Sequence, residues 1–516
     1  MHSIKFEKTT SFLPCRGVRR IGATLLILAA QACFVIADTS TGTTGSGAPI
    51  ENRQPTLVMQ YMICVEFGTF PDDAQSTPTQ SEPPNRQTPF LGEIKAIPFA
   101  YGPPKGWMLC EGQTMQISQY PFLFSLIGTA FGGNGSTTFN LPDLRGRVPV
   151  GADIGPPEVE RGDIVGAQQI NLVPANLPSH THSVPEGNTG ATGNGAPIEN
   201  RQEGLGLHFL IAANGEIMIA AFYVQPTGWC HCDGRLLASA THGYLYSNIG
   251  TSYGGDSTNF AIPDMRGRVV IGDDDDITWP VGLAHGTDNI VLGLSNIATH
   301  THSIPGGSTG AAGGSGMSAN NYQRSLVMRW MISLFGVFPT PGGNMSFPMV
   351  SEMRLIAGET ADGITEAGWV PASGQLLPII ENDTLFQVIG TMYGGDGQDT
   401  FGLPNLINRV NMGRKTGQNV ADTYGSEIFS ISISQLAAHS HPLLELSITG
   451  IEHLGGGSMQ LTLLGTVGSS CLVVKSDEPG TGWSSLGTVN FTSATQTIID
   501  PNSADAPKQF YRAYNP

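Results

Sequence analysis

The sequence is poor in charged residues and in long apolar runs. Only 13% of its 516 residues are charged, and 42 acidic residues against 25 basic ones give a formal net charge of −17. Nucleic-acid phosphates would repel such a surface, which excludes nucleic acid as an expected partner. Beyond residue 37 no stretch is long and apolar enough for a membrane-spanning helix, so we expect no transmembrane segment in the mature chain.

Cysteine is scarce as well. Five cysteines lie beyond residue 37, and an odd number in an exported chain leaves at least one thiol free or paired between molecules. The sequence leaves their pairing open. The Cys-His-Cys run at residues 230–232 lacks a second ligand pair at zinc-finger spacing, so we do not assign it as a metal site. The five are Cys64, Cys110, Cys230, Cys232 and Cys471.

A catalytic constellation is also missing. The Gly-x-Ser-x-Gly pattern around Ser252 matches the nucleophile elbow of α/β-hydrolases, but the equivalent positions in two other repeats carry Ala130 and Met392. A βαβ pattern does not surround it either. We therefore predict that the protein is not an enzyme, and we assign no catalytic residue.

Glycine and proline are abundant, with 67 and 35 residues. This composition is typical of short strands joined by many turns. The hydrophobic pattern leaves room for one short helix in each repeat, such as residues 120–127. We therefore predict a mainly β fold with short helices.

The N-terminus has the pattern of an export signal. Basic residues precede an apolar run at residues 21–36, which is short for a transmembrane anchor, and Val35 and Ala37 fit cleavage before Asp38. We predict a signal peptide at residues 1–37 and a secreted, extracellular protein. The Thr-, Gly- and Ser-rich residues 38–56 are predicted to form a flexible leader.

An apolar strand follows at residues 57–71. Alternate side chains of a strand share one face, and here both faces are largely apolar. One face carries Leu57, Met59, Tyr61, Ile63 and Val65.

Three repeats make up most of the remaining chain. Each contains, in order, a Gly-Trp pair, a Gly-Thr-x-Tyr/Phe-Gly-Gly run, a form of Leu-Pro-Asp-Leu-Arg-Gly-Arg-Val and a final His-x-His doublet. The third repeat is more divergent, with Ile407 in place of the first arginine. We place unit one at residues 90–204, unit two at 205–325, unit three at 326–450 and a β-rich C-terminal extension at 451–516.

These motifs resemble the phage tail collar domain, and more closely the bacterial microcystin-dependent proteins that carry it. The resemblance covers residues 90–450 three times over. It implies a structural protein that trimerises around a threefold axis, where His-x-His from each of three chains can hold one metal ion. With three copies in one chain, it implies a single-chain pseudo-trimer.

The His-x-His doublets are candidate metal ligands. In an extended segment the two imidazoles of a doublet point the same way. Three doublets gathered on one axis supply six nitrogens, which suits one structural divalent ion such as Fe, Ni, Co or Zn. The alternative is that the doublets only form hydrogen bonds within a loop. The candidate ligands are His180, His182, His300, His302, His439 and His441.

The strand count leaves one strand over. Copies of the strand at residues 57–71 follow units one and two, but none follows unit three. The N-terminal strand either folds back onto unit three and closes a pseudo-trimer, or inserts into the next molecule as in donor-strand complementation. We favour the second, because it also suits export, low charge and the lack of catalytic residues. The two closures can coexist if a pseudo-trimer stacks by swapping this strand.

The sequence thus predicts a secreted structural subunit of a pilus-like extracellular fibre that serves adhesion. Its partners would be copies of itself in a head-to-tail polymer, with cell-surface glycans as a second partner. One alternative is a phage tail fibre, against which the signal peptide speaks. The other is a secreted carbohydrate-binding adhesin that stays monomeric.

Overall fold

The computed structural model divides into two compact units. The main unit lies between Thr39 and Leu444, and the C-terminal unit lies between Glu445 and Tyr514. The predicted signal peptide lies outside the described residues. The structure describes residues 41–72, 88–100, 102–152, 159–184, 187–273, 280–304, 307–340, 348–358, 368–441, 446–455, 458–465, 470–476, 484–501 and 510–514.

Many short strands, in three similar series, build the main unit. The first series has Ile50–Glu51, Thr56–Cys64, Glu93–Ile97, Trp107–Leu109, Thr114–Gln116, Thr138–Asn140, Val148–Gly151, Ile164–Val165, Gln169–Ile170, Ser183–Val184 and Gly187–Asn188. The second has Ile198–Glu199, Gly204–Ala212, Glu216–Ala220, Trp229–His231, Leu236–Ala238, Asn259–Ala261, Val269–Gly272, Ala284–His285, Asn289–Ile290, Ala298–His300, Ser303–Ile304 and Gly307–Ser308. The third has Ala312–Ser315, Ala319–Asn320, Ser325–Ser333, Met353–Ile356, Trp369–Pro371, Leu376–Pro378, Thr400–Gly402, Val410–Gly413, Thr423–Tyr424 and Ile428–Phe429.

Each series contains one short helix, as predicted. In the first helix Leu123, Leu126 and Ile127 are buried, a spacing that places them on one face, and Gly128 ends the helix with φ of 57°. A mainly β fold with short helices is therefore confirmed. The helices are Pro121–Ile127, Gly243–Ile249 and Asp383–Ile389, and the 3-10 turns are Pro174–Asn176, Leu294–Asn296, Ile379–Glu381 and Ile433–Gln435.

Three long strands organise the main unit, and nearly every residue in them is buried. Each pairs antiparallel with the next strand in the chain. Two of them also pair in parallel with a short strand of the preceding unit: Gly204–Leu207 with Val148–Gly151, and Ser325–Met328 with Val269–Gly272. The long strands are Thr56–Cys64, Gly204–Ala212 and Ser325–Ser333.

The N-terminal long strand has no preceding unit and instead pairs with unit three of its own chain. Thr56–Met59 lies parallel to Val410–Gly413, and Leu57 faces Thr423 on a short antiparallel strand. The strand's second half pairs with Glu93–Ile97 of unit one. In the single chain, the strand takes the first of the two closures that the sequence allows, the fold-back onto unit three. Donation to a neighbouring molecule stays a prediction. A tethered segment meets its own chain at a high effective concentration, which favours this pairing.

Residues 41–56 form paired backbone rather than the flexible leader that their composition predicts. Thr44 pairs with His439 in an isolated bridge. Glycine is needed at residue 45, because its φ is 87° and a Cβ there would lie 2.5 Å from the Leu436 carbonyl oxygen. The small residues thus reflect tight packing and not flexibility.

A ring of three glutamines joins this segment to its two counterparts later in the chain. The backbone N–H of Gln54 donates to Oε1 of Gln202 at 3.1 Å, that of Gln202 to Gln323 at 2.7 Å, and that of Gln323 to Gln54 at 3.1 Å. All three side chains are buried. The glutamine ring closes only when all three segments are in place.

The arginine-motif loops join neighbouring units through close backbone contacts. Gly146 donates its N–H to the Gly413 carbonyl at 2.7 Å, and Gly413 donates to the Arg147 carbonyl at 2.9 Å. A Cβ on Gly413 would overlap the Leu144 carbonyl oxygen. Equivalent contacts join unit two to unit one and unit three to unit two.

The divergent loop of unit three keeps this contact. The N–H of Asn408 donates to the Gly272 carbonyl at 2.9 Å. Asn408 has φ of 53°, against 73° for Gly146 at the equivalent position, and asparagine tolerates this left-handed conformation better than most residues. The change to Ile407 therefore alters a side chain but not the loop.

Buried charges lie where strands from the three units meet. Lys95 Nζ is 2.6 Å from Glu352 Oε1 and 3.3 Å from Glu93 Oε1, and Arg354 Nε is 3.2 Å from the same Glu352 oxygen. Burial would raise the pKa of Glu352, but Arg354 and Lys95 outweigh it and lower that pKa to about 2. Unit two has the uncharged Met218 at the position of Lys95, so the units are not equivalent at this position. Such a cluster favours one register of strands over others.

The C-terminal unit is made of two three-stranded sheets, in agreement with the predicted β-rich extension. Its core includes Leu461, Leu463, Cys471, Val473 and Phe491. One sheet has Leu446–Gly455, Ser458–Gly465 and Thr495–Asp500, and the other has Ser484–Asn490, Ser470–Ser476 and Phe510–Tyr514.

Replacing Lys95 with methionine should lower the free energy of unfolding by about 3–5 kcal/mol, because the buried Glu352 carboxylate loses a partner. Urea denaturation measures the change. The exposed Lys415→Met is the control and should change stability by less than about 0.5 kcal/mol. The Lys95→Met/Glu352→Gln double variant should recover part of the loss. Losses that simply add would contradict the ion-pair account.

Candidate metal centre

Six buried histidines from the three doublets meet in the main unit. Each doublet lies just after a 3-10 turn, and its side chains are 0–6% exposed. The structure brings together all six residues that the sequence predicts as ligands. This histidine cluster consists of His180, His182, His300, His302, His439 and His441.

The six rings lie at the corners of a distorted octahedron. The first members of the doublets form one triangle, with ring centroids 5.1–5.3 Å apart. The second members form a smaller triangle, with centroids 4.6–4.8 Å apart. Between the triangles, each ring lies beside two rings of the other triangle at 4.7–5.5 Å.

Every Nδ1 atom of the cluster faces a backbone carbonyl oxygen. A carbonyl only accepts, so Nδ1 carries the proton and Nε2 keeps its lone pair. In the first members the carbonyl lies two residues earlier, at 2.8–3.0 Å. In the second members it belongs to a distant glycine at 2.8–3.0 Å: Gly310 for His182, Gly42 for His302 and Gly190 for His441.

The Nε2 atoms face one another. Those of His300 and His439 are 3.2 Å apart, and the other four are buried without a hydrogen-bond partner among the described residues. Buried acceptors without a partner are costly, and lone pairs that face each other repel. Two sets of four cluster histidines each have ligand atoms within 4.8 Å of one another. This donor set fits one divalent metal ion with six nitrogen ligands.

A Thr-Gly pair supports each doublet and was not predicted from the sequence. The threonine hydroxyl accepts the backbone N–H of a second-member histidine, and the following glycine supplies a carbonyl to Nδ1 of another. A signal was available, because Thr-Gly recurs at residues 41–42, 189–190 and 309–310. The N–H contacts, at 2.9–3.0 Å, join His441 to Thr41, His182 to Thr189 and His302 to Thr309.

Burial lowers the pKa of five of these imidazoles and so favours their neutral form. It lowers the pKa of His300 and of His302 to about 4, and that of His441 to about 3. It lowers the pKa of His182 and of His439 as well. The neighbouring imidazoles add to the effect in all five. Neutral imidazole is the form that binds metal.

Other residues singled out in the sequence have structural partners. Arg145 pairs with Asp143 at 2.8 Å, and Arg266 pairs with Asp264 in the same way. All five described cysteines are buried free thiols. The face of the N-terminal strand from Leu57 to Val65 is buried within the chain.

The fold of the described residues is mainly β. The chain carries three tandem phage tail collar domains, matched at residues 92–149, 215–270 and 351–411. The predicted resemblance to the collar domain, in three copies, is therefore confirmed. The histidine doublets lie outside the matched regions. Collar domains are structural parts of phage tails, which indicates a structural protein of the tail-fibre type.

The chain is also similar to Protein RhiB of Rhizobium leguminosarum bv. viciae. The two are 34% identical over 89 residues, which cover 16% of this chain and 41% of that protein. The chain thus matches less than half of the relative's length. No solved structure matches the chain. In the part of the chain that the structure describes, no helix is long and apolar enough to cross a membrane.

Metal analysis of the purified protein tests the donor set. We expect about one divalent ion per chain, and His300→Ala should lose it because one of the six ligand nitrogens is then missing. His242→Ala, a buried histidine outside the cluster, is the control and should keep the ion. Protein prepared without chelators that holds no metal, even after metal is added, would contradict the site.

The stability of the metal-free protein should depend on pH. Five cluster histidines have a folded-state pKa below the ordinary value of 6.5, so the unfolded chain binds protons first as pH falls. Their contribution is therefore fully present above pH 6.5 and is lost progressively as pH falls to about 3. Urea denaturation of chelated protein across this range measures it. A His302→Gln/His441→Gln variant should have a flatter profile, and an equally steep one would reject this origin.

Proposed function

We propose that this protein is a structural subunit of an extracellular fibre, in which one chain does the work of a trimer. The observation that carries the proposal is the meeting of three histidine doublets, one from each collar unit, in a single buried cluster. A homotrimer would gather three copies of one doublet by symmetry. Here covalent linkage of three collar units has that effect.

Three further sets of contacts support a pseudo-trimer. The parallel strand pairs join unit one to unit two, unit two to unit three and unit three to the N-terminal strand. The arginine-motif loops and the glutamine ring have the same cyclic order. The strand pairs, the loops and the glutamine ring all connect the units in the same cyclic order, and a pseudo-threefold arrangement of the units accounts for all three.

The histidine cluster would hold one divalent ion with a structural role. All six nitrogens come from the protein, so an ion bound to all of them has no open position for a substrate or water. When bound, the ion supplies attraction between three distant parts of the chain, and it stabilises the folded state by mass action. A closed site of this kind suits a fibre subunit exposed to the extracellular environment.

Fibre assembly is proposed to use exchange of the N-terminal segment, residues 41–64. Cleavage before Asp38 would leave this segment attached to the chain on one side only. A neighbour's segment presents the same residues, so every pairing made within the closed chain can also form between two chains. The head-to-tail polymer differs from the closed subunit only in which chain supplies the segment.

A disulfide between positions 57 and 423 tests which chain supplies the strand. Leu57 and Thr423 face each other on antiparallel strands, a geometry that brings Cα atoms within the range of a disulfide. In oxidised Leu57→Cys/Thr423→Cys protein we expect fibres to give a covalent ladder on non-reducing gels. The dispersed fraction should give single cross-linked chains.

The Leu205→Cys/Ile164→Cys pair is the matched control, because these residues face each other at the equivalent internal position. It should cross-link within one chain in every fraction. Fibres that are visible by negative-stain microscopy but give no ladder would overturn strand donation. A preparation without fibres from cell surface or culture medium would overturn the fibre proposal itself.

A further inference from the structure

The N-terminal segment completes the surroundings of the histidine cluster, and we infer that metal binding and docking of this segment are coupled. The inference rests on the proposed metal centre and adds its regulation. Bound metal holds residues 41–64 in place, and loss of metal releases them for exchange with the same segment of a second copy.

The first two residues of the described segment contact two of the candidate ligands. The Gly42 carbonyl accepts from Nδ1 of His302 at 2.8 Å, which fixes the tautomer and the direction of that ring. The Thr41 hydroxyl accepts the N–H of His441 at 2.9 Å, and the Thr41 N–H donates to the His441 carbonyl at 2.8 Å. Units two and three each have one ligand oriented by the segment.

Thr44 extends these contacts to a third ligand. Its N–H donates to the His439 carbonyl at 2.9 Å, and its carbonyl accepts the His439 N–H at 3.1 Å. Its hydroxyl donates to the carbonyl of Thr301, between the two histidines of the second doublet, at 2.7 Å. Release of the segment would remove all of these contacts together.

The other two Thr-Gly pairs differ in one respect. Thr189 and Thr309 lie in segments that continue into the chain on both sides, so they cannot leave without disrupting a unit. Thr41 lies in a segment that, after the predicted cleavage before Asp38, is joined to the rest of the chain on one side only. Among the three equivalent supports of the histidine cluster, the N-terminal one is therefore the support that can be exchanged.

The expected size of the coupling follows from the contacts. Loss of a hydrogen bond that orients a metal ligand typically lowers metal affinity by about 10–100-fold. Linkage is reciprocal, so metal should lower the population of released segment by the same factor. The coupling changes how often the segment is free, not which residues it pairs with.

A second copy of the segment is the occupant that fits the vacated place. The groove offers the edge of Val410–Gly413 on one side and the edge of Glu93–Ile97 on the other. The long strand that fills it is buried along its whole length, so it needs apolar residues on both faces. A chain whose own segment has been released exposes such a strand, which makes a second copy the complementary partner.

Hydrogen exchange of the full-length protein tests the coupling. Amide exchange is compared between protein with its metal and the same protein after chelation, with Co²⁺ added back as a reversal. Metal should slow exchange in Thr56–Cys64 by about 10–100-fold. The equivalent strands Gly204–Ala212 and Ser325–Ser333 are internal controls and should change less.

Three matched variants separate this coupling from a general effect on the metal. Thr41→Val, Thr189→Val and Thr309→Val each remove one hydroxyl of the same kind, and all three should weaken metal binding to a similar degree. Only Thr41→Val should also reduce the protection that metal gives to Thr56–Cys64. In chelated Leu57→Cys/Thr423→Cys protein, the covalent ladder should increase.

The outcomes distinguish the two proposals. Protein that binds no metal, including added Co²⁺, contradicts the metal centre. Protein that binds one ion per chain but exchanges Thr56–Cys64 at the same rate with and without it overturns the coupling alone. Equal protection of all three long strands by metal would also overturn the coupling, because it would show global stabilisation in place of local docking.

Discussion

Six imidazole Nε2 atoms are buried together in this fold, and the described residues leave them without hydrogen-bond donors. Four Nε2 atoms lack a partner among the described residues, and the remaining two face each other at 3.2 Å. Each Nδ1 atom is already committed to a carbonyl, so rotation of a ring would exchange one unsatisfied atom for another. A cation bound between the two triangles would remove this conflict for the rings that it contacts. The doublets, the Thr-Gly pairs and the N-terminal segment all depend on that arrangement.

Joining three collar units in one chain removes the constraint that symmetry places on a homotrimer. In a homotrimer every axial position carries three identical residues. Here the three units carry Lys95, Met218 and Arg354 at one equivalent position. The lysine and the arginine are paired with glutamates from different units. These buried charged residues therefore favour one arrangement of the three units over others.

Much of the local structure follows from sequence pattern. The short helices, the long apolar strand and the three repeats were predicted because each depends on residues near one another in the chain. The composition of residues 38–56 predicts a flexible leader, but in the structure residues 41–56 are held by backbone hydrogen bonds. Thr, Gly and Ser are typical of linkers, but at Gly45 and Thr41 they allow close backbone approach and supply hydrogen bonds. Composition alone does not distinguish these two uses of small residues.

The sequence by itself determined that three His-x-His doublets exist, that each ends a repeat and that both rings of a doublet can face one way. It did not determine what they face. Only the tertiary structure brings Thr41 to His441 across a separation of 400 residues and gathers the six imidazole rings in one buried cluster. It also decided that the N-terminal strand lies on unit three of its own chain. Strands pair through backbone hydrogen bonds, which any matching apolar strand can make. The pattern of residues therefore predicts what kind of strand the partner is, but not which one.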